Sequence, residues 1–271
     1  MPVSAPLRLL YVGDVVGRAG RRAVQKLLPE LRQTLRLDAV FMNAENIAHG
    51  NGITTDTINE MLACGVDFCT SGNHIWDNKE GVDYLQRSDA KVLRPINFPS
   101  INPGRGVTEI EIGSKRILLI NLIGQVFMPQ QVSSPFVAFD DILAKRHLEN
   151  YQAVIIDFHA EATSEKQALA WYCDGRASLL VGTHTHVPTA DLRTLPKGTG
   201  LVCDIGCVAP AVSVIGADKE KVLKRFLTQT PVALSPADSE TEVLFYSIYA
   251  EIDPQTRRTF KLERVDRVVQ L

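Results

Sequence analysis

The sequence lacks a hydrophobic run long enough to cross a membrane, and it lacks an excess of charge of either sign. No apolar stretch approaches the ~20 residues that a membrane-spanning helix needs. The apolar run at residues 7–12 is too short for a signal peptide, has no cleavage pattern and ends at Asp14. The 29 basic and 31 acidic residues leave a net charge of −2, which argues against strong general nucleic-acid binding or attraction to an anionic membrane.

Paired cysteines and the standard nucleotide-binding glycine motifs are also missing. The five cysteines are scattered and form no C-x-x-C pair, which is typical of a reducing compartment and predicts a cytoplasmic protein. Cys203 and Cys207 could oxidise or bind a metal, but their surroundings favour buried structural thiols. Neither G-x-G-x-x-G nor a P-loop lysine follows the first apolar run, so both of these phosphate-binding motifs are excluded.

Short apolar runs alternate with amphipathic stretches, which predicts an α/β protein whose sheets are covered on both faces. Two hairpins interrupt this alternation, so we predict a four-layer α/β sandwich of two mixed sheets flanked by helices, in one domain spanning residues 1–271. The predicted strands are Leu7–Val12, Ala39–Met42, Asp67–Thr70, Val107–Ile112, Arg116–Leu122, Ala153–Phe158, Leu179–Val181, Glu242–Asp253 and Arg258–Val268. The predicted helices are Arg18–Leu35, bent or divided at Pro29, then Thr55–Ala63, Lys79–Arg87, Phe139–Asn150 and Ser164–Asp174. Residues 95–106, 125–135 and 187–198 are predicted loops.

Residues that can bind metal ions recur where five predicted strands end. They are Asp14, Glu45 with Asn46, Asn73 with His74, His159, and His184 with His186. Each alone has an ordinary explanation, such as a helix cap, a turn or a buried core histidine. Ligands in open α/β sheets bind at the carboxyl ends of strands, so five such ends together favour one shared metal site. Because side chains alternate along a strand, His184 and His186 are expected to point the same way from an extended segment.

The order of these polar segments resembles one known family. The segments are Gly13–Arg18, Asn43–Asn46, Gly72–Asp77, Asp157–Lys166 and Gly182–His186. The series resembles the calcineurin-like metallophosphoesterases and, more narrowly, the YmdB-type bacterial branch of that superfamily. The stretch His-Ala-Glu-Ala-Thr-Ser-Glu-Lys, which begins at His159, is its most specific part. The resemblance implies the calcineurin-like fold, which is the same α/β sandwich.

The chain departs from the commoner superfamily pattern at three positions. Val16 stands at the usual histidine of Asp-x-His, Glu45 replaces the usual bridging aspartate, and Ala48 replaces the aspartate three residues later. The resemblance implies that Asn46 takes over the lost ligand position. The residue that orients the His74 ring stays open between Asp77 and His49.

The resemblance implies a centre of two metal ions bridged by Glu45, since a carboxylate has two oxygens to share. One ion would be bound by Asp14, Glu45, Asn46 and His186, and the other by Glu45, Asn73, His159 and His184. Nitrogen and oxygen ligands without thiolate point to Fe²⁺/Fe³⁺ or Mn²⁺, with Zn²⁺ as a further choice. A hydroxide held between ions ~3.5–4 Å apart would attack phosphorus, and His74 would protonate the leaving oxygen or stabilise its charge.

The implied activity is hydrolysis of phosphodiesters, notably 2′,3′-cyclic nucleotides such as 2′,3′-cAMP, by a homo-oligomer that is a dimer or a tetramer. Two alternatives stay open: a phosphomonoesterase or protein phosphatase with the same centre, and a regulatory RNA- or nucleotide-binding protein with little turnover. His49 lies in a glycine-rich loop and is expected to touch substrate. Arg18, Arg21 and Arg22 could attract a phosphate, although a solvated basic surface is the favoured interpretation.

Overall fold

Two sheets lie face to face, and helices cover the outer surface of each. The computed structural model describes residues 5–237 and 241–271. Its strands are β1 (Leu7–Val15), β2 (Ala39–Asn43), β3 (Phe68–Thr70), β4 (Val107–Ile112), β5 (Lys115–Ile123), β6 (Ala153–His159), β7 (Leu179–Thr183), β8 (Arg193–Thr194), β9 (Gly200–Val202), β10 (Cys207–Pro210), β11 (Glu242–Phe245), β12 (Ser247–Ile252), β13 (Thr259–Arg264) and β14 (Arg267–Gln270). Its α-helices are α1 (Gly17–Thr34), α2 (Thr55–Ala63), α3 (Lys79–Leu85), α4 (Pro135–Ala144), α5 (Thr163–Cys173) and α6 (Lys219–Thr228).

Both sheets are mixed. The first has eight strands in the order β13-β12-β1-β10-β11-β14, with β2 and β3 added beside β1. The second has six strands in the order β4-β5-β6-β7-β9-β8. Strands β1, β2 and β3 are parallel to one another, and so are β5, β6, β7 and β9. The predicted sandwich of two mixed sheets flanked by helices is confirmed.

The alternation of side chains along β1 shows how the layers are assembled. Leu9 and Tyr11 belong to the apolar cluster between the two sheets, whereas Leu10 and Val12 pack on the outer face with the helices. A separate cluster fills the space between the second sheet and helices α4 and α5. Because both faces of each sheet are covered, the central strands are apolar at nearly every position. The structural order is therefore helix, sheet, sheet, helix.

Several predicted elements have different bounds in the structure. Pro29 lies inside α1 without dividing it, because Leu28 and Leu31 on either side are buried in the core. Helix α4 begins at Pro135 and ends at Ala144, so the prediction of a helix over residues 139–150 was wrong at both ends. Proline at the first helical position explains the earlier start. A 3₁₀ turn at Leu148–Asn150 follows.

The predicted strand over residues 242–253 is two strands, β11 and β12. The break falls at Tyr246, whose carbonyl oxygen accepts a hydrogen bond of 3.1 Å from the Gly13 N–H. Strand β11 pairs with β10 and β14, whereas β12 pairs with β1 and β13. The described part of residues 199–241, for which no element was predicted, contains β9, β10 and α6. The first two are strands of three and four residues, too short for a periodic signal.

The cysteines behave as predicted for structural thiols. All five are free, and all except Cys64 are buried. Burial raises the pKa of the Cys203 thiol to about 12 and that of the Cys64 thiol to about 11. Within the described ranges, no helix is both long and apolar enough to cross a membrane.

Candidate metal centre

The carboxyl ends of five strands bring the predicted ligands to one edge of the sandwich. Asp14 lies near the end of β1, Glu45 follows β2, and Asn73 begins a 3₁₀ turn after β3. His159 is the last residue of β6, and His184 follows β7 directly. Strands from both sheets therefore contribute to the same site.

Four of the predicted ligands converge around one imidazole nitrogen. His159 Nε2 lies 3.0 Å from Asn73 Oδ1, 3.1 Å from His184 Nδ1 and 3.2 Å from Glu45 Oε1. These are the four residues predicted to share one metal ion. Their nitrogen and oxygen atoms are close enough to bind a single cation.

Hydrogen bonds behind His159 fix which of its nitrogens can bind a metal. The Thr183 hydroxyl donates to Asp157 Oδ1 at 2.7 Å, so it must accept the 2.9 Å hydrogen bond from His159 Nδ1–H. This arrangement leaves the lone pair on His159 Nε2, the atom that faces Glu45 and Asn73. A metal-binding histidine is commonly held in this way through its other nitrogen.

The second predicted ligand group surrounds Asp14. His186 Nε2 lies 3.9 Å from Asp14 Oδ1 and 3.2 Å from the Asn46 side-chain amide nitrogen. The same amide nitrogen lies 3.2 Å from Glu45 Oε1. His186 Nδ1 donates to the Ile215 carbonyl oxygen at 2.8 Å, which leaves Nε2 as the acceptor. A rotation of the Asn46 amide would present its oxygen to the same point.

Charges at the site fit a cation. Asp14 is fully buried, and its Oδ1 has no hydrogen-bond partner; burial and the neighbouring Glu45 raise its pKa well above the usual range. Burial alone would raise the pKa of Glu45, but His159, His74 and His184 together outweigh it and lower that pKa to about 2. Burial lowers the pKa of His184 to about 3 and also lowers that of His186. An orphaned carboxylate oxygen beside neutral imidazoles is a suitable environment for divalent metal ions.

His74 lies beside this cluster and contacts it through its backbone. Its N–H donates to Glu45 Oε2 at 3.2 Å, and its ring Nδ1 lies 2.7 Å from Asp77 Oδ2. Asp77, rather than His49, is therefore the residue in contact with the His74 ring. The contact spans one turn of the 3₁₀ segment, so the two side chains are neighbours by local geometry.

A cavity of about 530 Å³ opens directly onto the cluster. Its lining includes Glu45, His74 and His186 together with the apolar residue Val16. His49 also lines it, and its contact with substrate stays a prediction. Val16 thus contributes an apolar contact at the position where the commoner pattern has a histidine.

The three arginines at the start of α1 are not part of this cavity. Arg21 Nε donates to Glu60 Oε2 at 2.6 Å, and Arg21 also bonds the Ile47 carbonyl oxygen. Among the residues described, neither Arg18, Arg21 nor Arg22 lines the cavity. These arginines are therefore better interpreted as part of the surface of α1 outside the site than as groups that attract a phosphate.

One expectation about His184 and His186 was wrong. Strand β7 ends at Thr183, and the two histidines have φ angles of 101° and 64°. These left-handed conformations are uncommon for residues other than glycine. The two rings reach the site from a turn, and alternation along an extended strand does not explain their direction.

Three residues with supporting roles were not singled out from the sequence. Glu161 Oε2 lies 3.2 Å from His184 Nε2, so it holds the ring with Nδ1 toward the other ligands. Lys166 is buried, and its Nζ donates to the Thr183 carbonyl oxygen at 2.9 Å and to Asp204 Oδ2 at 2.8 Å. The signal was present, because Glu161 and Lys166 belong to the motif that begins at His159.

Asp204 completes the support of the histidine turn. Its Oδ2 accepts hydrogen bonds from the Thr185 N–H at 3.0 Å and from the Thr185 hydroxyl at 2.8 Å. Its Oδ1 accepts the Gly206 N–H at 2.9 Å. The buried Lys166–Asp204 pair therefore forms hydrogen bonds with the residues on both sides of His184, Thr183 and Thr185.

Gly72 makes room for the ligands. A Cβ atom at this position would lie 2.2 Å from His159 Nε2 and 2.3 Å from Glu45 Oε2. No side chain can occupy that space without moving the ligands. The glycine is required by close approach to the centre.

Known proteins are similar to this chain over nearly its whole length. The family model of YmdB-like proteins matches residues 10–265. The chain is 42% identical over 259 residues to the 2′,3′-cyclic-nucleotide 2′-phosphodiesterase of Bacillus subtilis strain 168, covering 96% of each. A crystal structure of a protein from Thermus thermophilus superposes with a TM-score of 0.90 at 37% identity, covering 97% of this chain and 99% of that one. A structure named as a novel phosphatase, from Mycoplasma pneumoniae, gives a TM-score of 0.90 at 32% identity and covers 98% of this chain and 94% of that one. The names of these relatives agree with the predicted phosphoesterase class, and the chain belongs to the YmdB-like family.

Proposed function

We propose that this chain is a dinuclear metal-dependent phosphodiesterase that hydrolyses 2′,3′-cyclic nucleotides such as 2′,3′-cAMP. The observation that carries the proposal is a pair of ligand groups, Glu45–His159–His184 and Asp14–Glu45–His186, that share Glu45. Within each group the ligand atoms lie within 4.8 Å of one another. A shared carboxylate can bind two adjacent metal ions, one through each oxygen. The similarity to the Bacillus subtilis phosphodiesterase supports the class of substrate.

The two amide side chains complete the proposed ligand sets. Asn46 joins Asp14, Glu45 and His186, and Asn73 joins Glu45, His159 and His184. Nitrogen and oxygen ligands without thiolate favour Fe²⁺/Fe³⁺ or Mn²⁺, with Zn²⁺ as a further choice. Two divalent ions bound there would neutralise charge on the phosphoryl group and activate water for attack.

His74 is proposed as the catalytic residue that protonates the leaving oxygen or stabilises its charge. Asp77 accepts the hydrogen bond from its Nδ1–H, which fixes the ring and leaves Nε2 for the substrate. The backbone bond from His74 to Glu45 keeps the ring next to the proposed bridging ligand. His49, which also lines the cavity, is proposed to contact the bound substrate.

The charge of the cavity favours a phosphodiester over a phosphomonoester. Glu45 and Glu161 line it, and no lysine or arginine of the described residues does. A phosphodiester carries one negative charge, whereas a phosphomonoester carries ~1.5–2 at neutral pH. Apart from the proposed metal ions, no lysine or arginine of the described residues would balance the additional charge beside Glu161. The diesterase therefore ranks above a phosphomonoesterase or protein phosphatase.

Metal analysis followed by a substrate panel tests the proposal. Purified protein supplemented with Mn²⁺ or Fe²⁺ is assayed with bis-p-nitrophenyl phosphate, p-nitrophenyl phosphate and 2′,3′-cAMP. We expect about two metal ions per chain and at least ~10-fold higher kcat/KM for the diesters. Hydrolysis of the monoester alone would overturn the diesterase. Tight nucleotide binding without turnover would support the regulatory alternative instead.

We further propose a single catalytic domain over residues 1–271, a cytoplasmic location and a homo-oligomer that is a dimer or a tetramer. Free cysteines throughout suit a reducing compartment. Light scattering of the metal-loaded protein measures the oligomeric state, and a monomer would contradict that part of the proposal.

A further inference from the structure

One wall of the cavity is formed by residues of the segment between β10 and β11. After Pro210 the chain leaves the first sheet, runs through α6 and returns. Two parts of this segment form hydrogen bonds with each other. The Asp218 N–H donates to the Ser235 carbonyl oxygen, and the Ala237 N–H donates to the Gly216 carbonyl oxygen, both at 2.9 Å. Residues 215–217 and 234–236 therefore lie side by side as one wall.

This wall is attached to the candidate metal centre. The Ile215 carbonyl oxygen accepts the hydrogen bond from His186 Nδ1–H at 2.8 Å. A Cβ atom at Gly50 would lie only 2.5 Å from Pro236 Cγ, so the wall also touches the loop that carries His49. The position of the wall relative to the proposed ligands is thus set by direct contacts.

The wall offers apolar surface next to a polar centre. Ile215 and Leu234 line the cavity, and these apolar residues are 54% and 43% exposed. Exposed apolar surface beside a few convergent polar groups is typical of a small-molecule site, and a volume of ~300–1,000 Å³ is usual for one. The cavity of about 530 Å³ lies within that range. A planar, uncharged group attached to the phosphoryl group suits this surface better than a second anion.

We propose that Ile215 and Leu234 form a subsite that packs against the nucleobase of a nucleotide whose phosphoryl group lies at the metal centre. The inference rests on the proposed function and adds the part of the molecule that recognises the organic portion of the substrate. An uncharged apolar wall contacts the face of any base, so it predicts affinity for the base without strong preference among bases.

The test compares 2′,3′-cAMP with a base-free substrate, the 2,3-cyclic phosphate of methyl riboside. Leu234→Asn and Ile215→Asn are expected to lower kcat/KM for 2′,3′-cAMP by about 10-fold, at the lower end of what apolar contacts contribute to discrimination. With the base-free substrate the change is expected to stay below ~2-fold, since the contact with the base is absent in both proteins. Leu227→Asn, at an 81% exposed position of α6 that does not line the cavity, is the matched control.

The outcomes separate this inference from the proposed function. An equal loss on both substrates would indicate a structural effect on the centre and would overturn the subsite, as would an unchanged kcat/KM for 2′,3′-cAMP. If the wild type hydrolyses no diester, the proposed function fails, and calorimetric titration with 2′,3′-cAMP then decides the subsite. A Kd about 10-fold higher for Leu234→Asn supports it, and an equal Kd overturns it.

Discussion

The buried Lys166–Asp204 pair supports the turn that carries His184 and His186, and its removal has a calculable effect. Lys166→Met keeps most of the side-chain volume but removes the ammonium group. Both hydrogen bonds from Lys166 Nζ, to the Thr183 carbonyl oxygen and to Asp204, are lost. The Asp204 carboxylate, which is 1% exposed, is then left buried without a counter-charge.

The expected loss of stability follows from what Asp204 retains. Removing one partner of a buried ion pair typically costs ~3–5 kcal/mol. Asp204 still accepts hydrogen bonds from Thr185 and Gly206, so we expect the lower end, about 3 kcal/mol in the free energy of unfolding. Lys166→Met/Asp204→Asn removes both charges, and its loss should be smaller than that of Lys166→Met because no unpaired charge remains.

A second effect is expected on the metal centre. His184 and His186 have left-handed backbone conformations, each of which costs roughly 1–3 kcal/mol unless the surroundings enforce it. Without Lys166 the turn can relax, and metal affinity should fall by ~10–100-fold, as for other groups that orient ligands. Urea unfolding measures the first effect, and competition with a chelator measures the second.

Lys261→Met is the control, because Lys261 forms an exposed surface pair with Glu263 at 3.2 Å. Such pairs contribute ~0–1 kcal/mol, and Lys261 is distant in sequence from every proposed ligand. A free energy of unfolding of Lys166→Met within ~1 kcal/mol of the wild-type value, together with equal metal affinity, would refute the role of this ion pair. A loss of stability with unchanged metal affinity would refute the positioning role alone.

Three further substitutions separate ligands from the catalytic group. His74→Ala should retain the metal content and lose ~10²–10⁴-fold in kcat; metal analysis beside steady-state kinetics checks this, and loss of metal would contradict it. His186→Ala should lower the metal content because it removes a proposed ligand, whereas His147→Ala, at an exposed surface position, should leave it unchanged. Gly72→Ala should lower both metal content and activity, since its Cβ would overlap His159; normal metal binding by folded Gly72→Ala protein would show that the site can move.

The location of the site was predictable from the sequence because it depends on parallel strands. The apolar runs that become β1, β2, β3, β6 and β7 each end at a residue able to bind metal, and parallel strands bring their carboxyl ends to one edge. These are local signals repeated along the chain, so an error in one element did not move the site.

The cavity wall could not be predicted because its signals are weak. Strands β9 and β10 have three and four residues, and in α6 only Val222 is buried. The wall is formed by isolated pairings between residues far apart in sequence, such as Ala217 with Pro236. Contacts of this kind arise from tertiary packing and leave no periodic pattern.

The conformation of the histidine turn was mispredicted for a different reason. Alternation in an extended strand is the lower-energy choice for His184 and His186, so a rule based on local preference selects it. The observed turn departs from that preference, as residues at functional sites often do. The turn is stabilised by its hydrogen bonds with Lys166 and Asp204. These two residues are distant from it in sequence and do not line the cavity. Lys166, in the motif that begins at His159, is neither a proposed ligand nor a cavity residue. Its place in the motif therefore follows from the strained backbone of the turn, which its hydrogen bond stabilises.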